Sequence, residues 1–310
     1  MRTRHDLLDE LRALVARHAR ADGRTPIDGL LLTKVSSHQS APEYTLTEPL
    51  LVVMVQGGKR LMLGDKVYEY GAGDCLVVAA DVPVTGHWVG VTDRTPALGI
   101  GLVLRPATIA ALVLRAPAER RGRGQVDASA LATGPAGVEL LDAATRMVRL
   151  LDRPTDAPVL APLVEQELLW LLLTSPQGSA VRQIGLADSD LTHVSHAIAW
   201  IRDNYPEQLR VDELARMSGM SSSAFHRHFR SVTNTSPLQF QKRIRLQEAR
   251  SLLAAHPGDV AGVGHRVGYD SPSQFNREYR RLFGAPPGQD AERLRTADLH
   301  AAGSSAMRSW

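Results

Sequence analysis

The sequence predicts an α+β protein with a β-rich N-terminal half and an all-helical C-terminal third. Between Gly29 and Leu104, short apolar runs alternate with Gly, Pro and Asp, which is typical of a small sandwich or barrel. Beyond Pro106, apolar residues recur at helical spacing, and after residue 192 one ten-residue segment occurs twice. The 310 residues allow about two domains of ~150 residues each.

The composition excludes several classes of protein. With 44% hydrophobic and 22% charged residues the chain is not a disordered polymer. Its single cysteine, Cys75, excludes a disulfide framework and a four-cysteine zinc site. Apolar runs such as Leu168–Leu173 are far shorter than the roughly 20 residues of a membrane span, and the charged N-terminus does not resemble a secretory signal. We therefore expect a soluble, cytoplasmic protein without a membrane partner.

The N-terminal half opens with a helix over residues 5–20, in which Leu7, Leu11 and Val15 share one face. Strands are predicted at Leu50–Val55, Leu61–Leu63, Val67–Tyr70, Cys75–Ala79 and Ala97–Leu104. Gly64-Asp65 forms a two-residue hairpin loop between two of them, and its leading glycine suits a type II′ turn.

Three helices are predicted to follow, at residues 106–114, 138–151 and 159–174, with a polar, mobile loop at 116–135. The two longer helices either cover the core of the β-domain or form a dimerisation surface. The predicted boundaries are 1–25 for an N-terminal helix, 26–175 for the β-domain with its helices, 176–191 for a linker, 192–296 for the helical domain and 297–310 for a flexible tail.

The repeated segments are residues 221–230 and 271–280, which are identical at five of ten positions. Each follows a short helical segment and a glycine, Gly219 or Gly268, that permits the positive φ of a sharp turn. Ser221 and Ser271 suit helix N-caps, and the sequence Ser-Pro-Ser-Gln in the second copy predicts a capping box. This pattern predicts two helix-turn-helix units.

The apolar positions of each second helix are Phe225 and Phe229, then Phe275 and Tyr279, so the intervening polar residues face outward. Arginine bonds guanine bidentately and asparagine bonds adenine in the major groove. An ordinary helical bundle with solvated polar faces is the alternative, and the second matching copy argues against it.

A helix over Pro237–Leu253, about 25 Å long at 1.5 Å per residue, joins the two units. It would hold them apart over successive major-groove segments, which lie ~34 Å apart on one face of a duplex. Residues 192–296 carry 15 Lys and Arg against 10 Asp and Glu, a weak indication of a polyanionic partner. Arg245 on this helix either contacts phosphate or is a structural salt-bridge partner, and the second role is favoured.

The C-terminal third closely resembles the AraC/XylS family of bacterial transcription regulators. The motifs are Gly219-Met220-Ser221, Ser236-Pro237-Leu238, Arg245-Leu246, Glu248-Ala249-Arg250, Val267-Gly268-Tyr269 and the run from Phe275 to Gly284. The resemblance implies that both second helices enter the major groove. The family's base-reading positions match Ser222, Ser223, His226, Arg227, Pro272, Ser273, Asn276 and Arg277. Gly264 departs from the family's usual alanine and suggests a less rigid second unit.

Residues from about Pro26 to Ser175 resemble the cupin-type N-terminal domain of one AraC-type subgroup. The matching residues are Pro49-Leu50, Val55-Gln56-Gly57-Gly58-Lys59, Leu63-Gly64-Asp65, Tyr68, Tyr70-Gly71 and Val82-Pro83-Val84. The resemblance implies a cupin-like β-barrel, or jelly roll, that senses a small molecule. The polar and aromatic residues most suited to line an effector pocket are Gln56, Tyr68, His87 and Trp88; alternatively they belong to the core or surface, and the barrel serves only dimerisation.

Enzyme chemistry has little support in the sequence. Cupin metal sites use His-x-His, whereas His38 and His87 are the histidines of the barrel region, so we expect no metal and no cofactor. Cys75 in an apolar strand is expected to be buried packing, and no Gly-x-Ser-x-Gly segment is present. A cupin enzyme with an accessory nucleic-acid module is the alternative, which stoichiometric metal would favour.

The resemblance therefore implies a sequence-specific DNA-binding regulator, most often an activator in this family, and not an enzyme. The expected partners are two major-groove segments of double-stranded DNA, an unidentified small-molecule effector, a second copy of the chain in a homodimer, and RNA polymerase if it activates. We expect effector binding to shift the population of DNA-competent arrangements.

Overall fold

The computed structural model describes residues 2–36, 43–116, 129–186, 190–256 and 258–295. These form two compact units: the first contains residues up to 198 together with 215–236, and the second contains 199–214 together with the described residues from 237 onward. The predicted flexible tail at 297–310 lies outside the described residues, as does His38.

Two antiparallel sheets form the centre of the first unit. Their strands are β1 Leu30–Val35, β2 Glu43–Leu46, β3 Leu50–Gln56, β4 Gly58–Leu63, β5 Lys66–Gly71, β6 Asp74–Val78, β7 Pro83–Val89, β8 Ala97–Val103 and β9 Leu131–Pro135. One sheet has the order β1-β8-β3-β6-β9 and the other the order β2-β7-β4-β5. Strand β5 lies against β3, β6 and β9, so the sheets face each other as a sandwich.

Five helices of the first unit, all before residue 186, pack on or beside the five-stranded sheet. They are α1 Arg4–His18, α2 Pro106–Arg115, α3 Val138–Arg149, α4 Ala157–Leu173 and α5 Gly178–Gly185, with a 3-10 turn at Leu150–Asp152. Buried Leu51 and Val53 of β3 meet Met147 of α3 and Leu168 of α4. The Arg4 guanidinium of α1 donates to the carbonyls of Gly73 and Ala136, which ties α1 to the sandwich.

Gly64 has φ 61° while Asp65 keeps a negative φ, which matches the predicted type II′ turn between β4 and β5.

Two predictions about the first unit are corrected by the structure. Residues 131–135, predicted within a mobile loop, form β9 because their backbone pairs with β6 and buries Leu131. Residues 176–191, predicted as a linker, contain α5, which packs against α2 and α4 through buried Val181 and Ile184.

The remaining helices are α6 Asp190–Asp203, α7 Val211–Met217, α8 Ser222–Thr233, α9 Pro237–Ala255, α10 Val260–Arg266 and α11 Pro272–Phe283. Helix α9 is the predicted joining helix and is 19 residues long. In the second unit, Leu246 and Ala249 of α9 and Val263 of α10 pack around Phe275 and Tyr279 of α11.

Candidate nucleic-acid interface

The two repeated helices, α8 and α11, have matching patterns of burial. Phe225 and Phe229 of α8 are 0% exposed, and Phe275 and Tyr279 of α11 are 1% and 0% exposed. The intervening residues are exposed in both copies: Ser222, Ser223, His226 and Arg227 on α8, and Pro272, Ser273, Asn276 and Arg277 on α11. Each helix-turn-helix unit therefore presents one polar face that carries an arginine. The base-reading role of these eight residues stays a prediction.

A glycine with positive φ precedes each exposed helix, as predicted. Gly219 has φ 66° and open space at the position of a Cβ, so the backbone conformation alone explains this glycine. Gly268 has φ 87°, and a Cβ there would lie 2.2 Å from the Pro206 carbonyl oxygen. The second turn therefore needs glycine for two separate reasons.

Both predicted serine N-caps are confirmed. Ser221 Oγ accepts from the Ala224 amide and Ser271 Oγ accepts from the Gln274 amide, each at 3.3 Å. The capping box predicted for the second copy is wrong in its reciprocal half. In place of accepting from the Ser271 N–H, the Gln274 side chain is directed along α11 and donates to Glu278 Oε1, one turn further on, at 3.3 Å.

Arg245 of α9 has a structural role, with backbone carbonyls in place of the predicted salt-bridge partner. Its Nε donates to the Tyr205 carbonyl at 2.6 Å and its Nη1 to the Gly268 carbonyl at 2.7 Å. Its Nη2 donates to the carbonyls of Glu207 and Pro206 at 2.9 and 3.1 Å. Burial lowers the pKa of this guanidinium. Arg245 thus joins the loop after α6 to the turn before α11.

Charged side chains also join α9 to α11. Lys242 Nζ lies 3.0 Å from Glu278 Oε1, and Tyr269 donates to Glu278 Oε2 at 2.9 Å. Burial alone would raise the pKa of Glu278, but hydrogen bonds from Lys242, Tyr269 and Gln274 lower it below its ordinary value. The partners of this carboxylate hold α11 against α9.

Gly264, which departs from the family's usual alanine, lies on α10 against α11. A Cβ at this position would approach Phe275 Cδ1 to 3.0 Å. An alanine here would require the Phe275 ring to move by a few tenths of an ångström. The close approach of α10 and α11 therefore favours the glycine.

The four residues predicted for an effector pocket do not form one site. Gln56 donates to the Pro96 carbonyl at 2.8 Å, and the Tyr68 hydroxyl lies 2.7 Å from Ser129 Oγ. His87 and Trp88 are consecutive in β7 and point to opposite faces, with His87 beside exposed Arg60 in the register. Trp88 alone belongs to an inward-facing polar cluster.

That cluster, the Glu43 cluster, contains Glu43, Lys59, Tyr70 and Trp88. Lys59 Nζ lies 2.7 Å from Glu43 Oε2 and 4.1 Å from the centroid of the Trp88 ring, while Trp88 Nε1 donates to Glu43 Oε1 at 2.6 Å. Burial and the Glu43 charge raise the pKa of Tyr70. Sequence reasoning missed Glu43 and Lys59, although Lys59 alternates with buried Leu61 and Leu63 along β4.

A separate pocket of about 390 Å³ opens between the end of α3 and the start of α4. Buried Met147, Leu150 and Ala161 line it. At its edge the Arg105 guanidinium donates to Asp28 at 2.7 Å and to Glu165 at 3.0 Å. Two carboxylates thus occupy Arg105, which ties the loop before β1 to α4.

The described part of the chain holds no group of three or more His, Cys, Asp or Glu side chains placed to bind a metal ion. Within the same residues, no single helix has the length and apolar character to cross a membrane. Helices α4 and α5 pass that test only as a pair, with a bend of 119° between them, and by length and composition alone.

Cys75 is 1% exposed in β6, and burial, with the charge of Asp74, raises the pKa of its thiol to about 11. We expect no alkylation of the native chain by iodoacetamide at pH 8 and stoichiometric alkylation in urea, as mass spectrometry would show. Rapid modification of the native chain would contradict this assignment as buried packing.

Two known family models match this chain. The model of the AraC-type transcriptional regulator N-terminus matches residues 26–180, and a helix-turn-helix domain model matches residues 214–293. The chain belongs to the AraC family of transcription regulators. The sequence-based family prediction is confirmed, and its cupin subtype stays a prediction.

Relatives within the AraC family match part of the chain. ExsA of Pseudomonas aeruginosa is 29% identical over 135 residues, which are 44% of this chain and 48% of ExsA. RhaS of Salmonella arizonae is 26% identical over 152 residues, which are 47% and 54% of the two chains. RclR of Escherichia coli is 32% identical over 131 residues, which are 42% and 40%. The chain thus covers about half the length of these relatives.

Among solved structures, ToxT from Vibrio cholerae, bound to (E)-4-(8-methylnaphthalen-1-yl)but-3-enoic acid, superposes with a TM-score of 0.53. The match covers 86% of this chain and 100% of ToxT at 8% sequence identity. It supports the α+β fold of this chain and, at that identity, the fold alone.

Proposed function

We propose that this AraC-family chain is a sequence-specific regulator of transcription that reads double-stranded DNA with α8 and α11. The supporting observation is the duplicated exposed face, in which Arg227 and Arg277 occupy equivalent positions on two N-capped helices. Arginine reads guanine bidentately, Asn276 is suited to adenine, and the exposed serines are suited to phosphates. Two such faces in one chain match the two major-groove segments of a bipartite site.

Selection of binding sites from random duplex DNA at two salt concentrations tests this proposal. We expect a motif with two blocks one helical turn apart. Binding that yields no motif and depends only on salt would contradict the proposal and indicate non-specific binding to polyanions. Repeating the selection with cell extract supplies any effector that the competent state needs.

Activation, with RNA polymerase as a partner in the cytoplasm, is the proposed direction of regulation. It is supported by the names of RhaS and RclR, which are transcriptional activators. The sandwich is proposed to sense a small molecule at the Glu43 cluster, where an ion pair and the Trp88 ring offer polar and stacking contacts.

A homodimer through α4 is also proposed. Val159 and Leu163, 68% and 59% exposed, lie one turn apart on its outer face. Leu163→Asp should raise the dimer dissociation constant about 100-fold, because an unpaired carboxylate is costly to bury. Sedimentation velocity measures this, with Leu238→Asp, at a side chain 55% exposed on α9, as the control. Equal effects of the two substitutions would place the interface elsewhere.

A further inference from the structure

Helix α8 belongs to the first unit, and its C-terminal end lies against the sandwich of that unit. The Ala130 amide donates to the Val232 carbonyl at 3.0 Å, and Asn234 Nδ2 donates to the Tyr68 hydroxyl at 3.3 Å. Ala130 and Val232 are both 0% exposed. This contact leaves the polar face of α8 exposed, so it is compatible with the proposed reading of DNA.

Asn234 has a conformation that normally selects glycine. Its φ is 53°, and among the described residues it is the non-glycine residue with positive φ. The equivalent C-cap of α11, fifty positions later, is Gly284 with φ 78°. Capping alone would be satisfied by glycine in both copies. The side chain of Asn234 therefore has a further role, and the hydrogen bond that its amide donates to the Tyr68 hydroxyl provides one.

The β4–β5 turn fits closely against the same residue. A Cβ on Gly64 would lie 2.3 Å from the Asn234 carbonyl oxygen. Gly64 is thus required both by its positive φ in the turn and by the approach of α8. The backbone of this turn and the side chain of Tyr68 therefore both contact Asn234, the C-cap of α8.

Tyr68 joins this contact to the interior of the sandwich. Its ring is 6% exposed, and its register partner Leu61 is 4% exposed, on the inner face of β4 and β5. The same face carries Lys59 and Trp88 of the Glu43 cluster two positions along the register. The Tyr68 hydroxyl meanwhile contacts Ser129 and Asn234.

We infer that Gly64, Tyr68, Ser129 and Ala130 form a docking surface for the C-terminal cap of α8, and that Tyr68 is the positioning residue that links the sandwich interior to this recognition helix. The inference rests on the proposed function, since it gives α8 a role in DNA reading. Because such coupling is reciprocal, the factor by which the docking contact changes DNA affinity equals the factor by which DNA binding changes the stability of the docking contact.

Hydrogen exchange of the Ala130 amide in the full chain tests the contact without DNA. Asn234→Gly and Tyr68→Phe should each accelerate this exchange about fivefold, because each removes the bond between Asn234 and Tyr68. Asn234→Gly leaves the helix cap intact, since glycine accepts a positive φ. Tyr205→Phe, the same chemical change at a partly buried tyrosine of the second unit, is the control and should leave exchange unchanged. Unchanged exchange in the first two variants would overturn the inference.

The second arm adds the duplex recovered by site selection. Binding should change Ala130 exchange in the wild-type chain and in Tyr205→Phe, and should do so less in Asn234→Gly and Tyr68→Phe. Duplex binding without any change at Ala130 would overturn the coupling while the proposed function stands. Failure to bind any duplex would overturn the proposed function and the coupling with it, while the arm without DNA still decides whether the docking contact exists.

Discussion

Replacing Arg227 or Arg277 by alanine is expected to weaken binding to the selected duplex by ~1–3 kcal/mol each, or about 5- to 150-fold. Both side chains project from exposed faces of N-capped helices. A bidentate arginine–guanine contact contributes in this range and discriminates one base pair. Each substitution should therefore relax specificity at one position, and the two positions should lie in different blocks of the site.

Fluorescence anisotropy titrations against the selected duplex and its single-base-pair variants measure both effects. Arg295→Ala is the control, since Arg295 is exposed and pairs with Glu292 outside both repeated helices. The double variant should show additive losses, because separate contacts to distant base pairs act independently. An equal loss on every sequence, with a smaller salt slope, would instead identify Arg227 and Arg277 as phosphate contacts.

Arg245→Lys is expected to destabilise the second unit by ~2–4 kcal/mol, because lysine cannot reproduce donation to several carbonyls from one planar group. The guanidinium satisfies the carbonyls of Tyr205, Pro206, Glu207 and Gly268 together. Gln241 also donates to two of them, so the loop after α6 would keep part of its support. The turn at Gly268 should therefore lose more of its stabilisation than that loop.

Urea unfolding followed by pulsed hydrogen exchange in α9 and α11 measures the stability of this unit by itself. Arg281→Lys, on the exposed face of α11, is the control for the same chemical change and should cost a few tenths of a kcal/mol. If both variants unfold at the same urea concentration, the carbonyl contacts of Arg245 contribute little and its role would have to be sought in DNA binding.

Much of the proposed interface could be predicted from the residues alone. The burial of Phe225, Phe229, Phe275 and Tyr279 follows from helical periodicity, and the caps at Ser221 and Ser271 follow from side-chain chemistry within three residues. The capping box at Ser271 was not predicted correctly, because the Gln274 side chain is directed to Glu278, to which it donates, and not to the Ser271 N–H, from which it would have to accept.

Prediction was weaker for the sandwich. The strand at Leu131–Pro135 carries a weak apolar signal and exists because β6 offers it a pairing edge. The helix at 178–185 forms where α2 and α4 bury Val181 and Ile184. Among the predicted effector residues, Trp88 alone belongs to the Glu43 cluster, because strand alternation turns His87 away and the partners Glu43 and Lys59 come from other strands.

Four features could be predicted from the residues alone: the family, the duplicated helix-turn-helix pattern, the positive-φ glycines and the exposed arginines. Each of these depends on residues within about one or two helical turns, or on a repeat that is visible in the letters. Other features were visible only in three dimensions: what Arg245 binds, which side chains surround Glu43, and the contact of Asn234 with Tyr68 across 166 positions of chain. Such pairs meet only when packing brings distant strands and helices together, and no local pattern encodes which partners those will be.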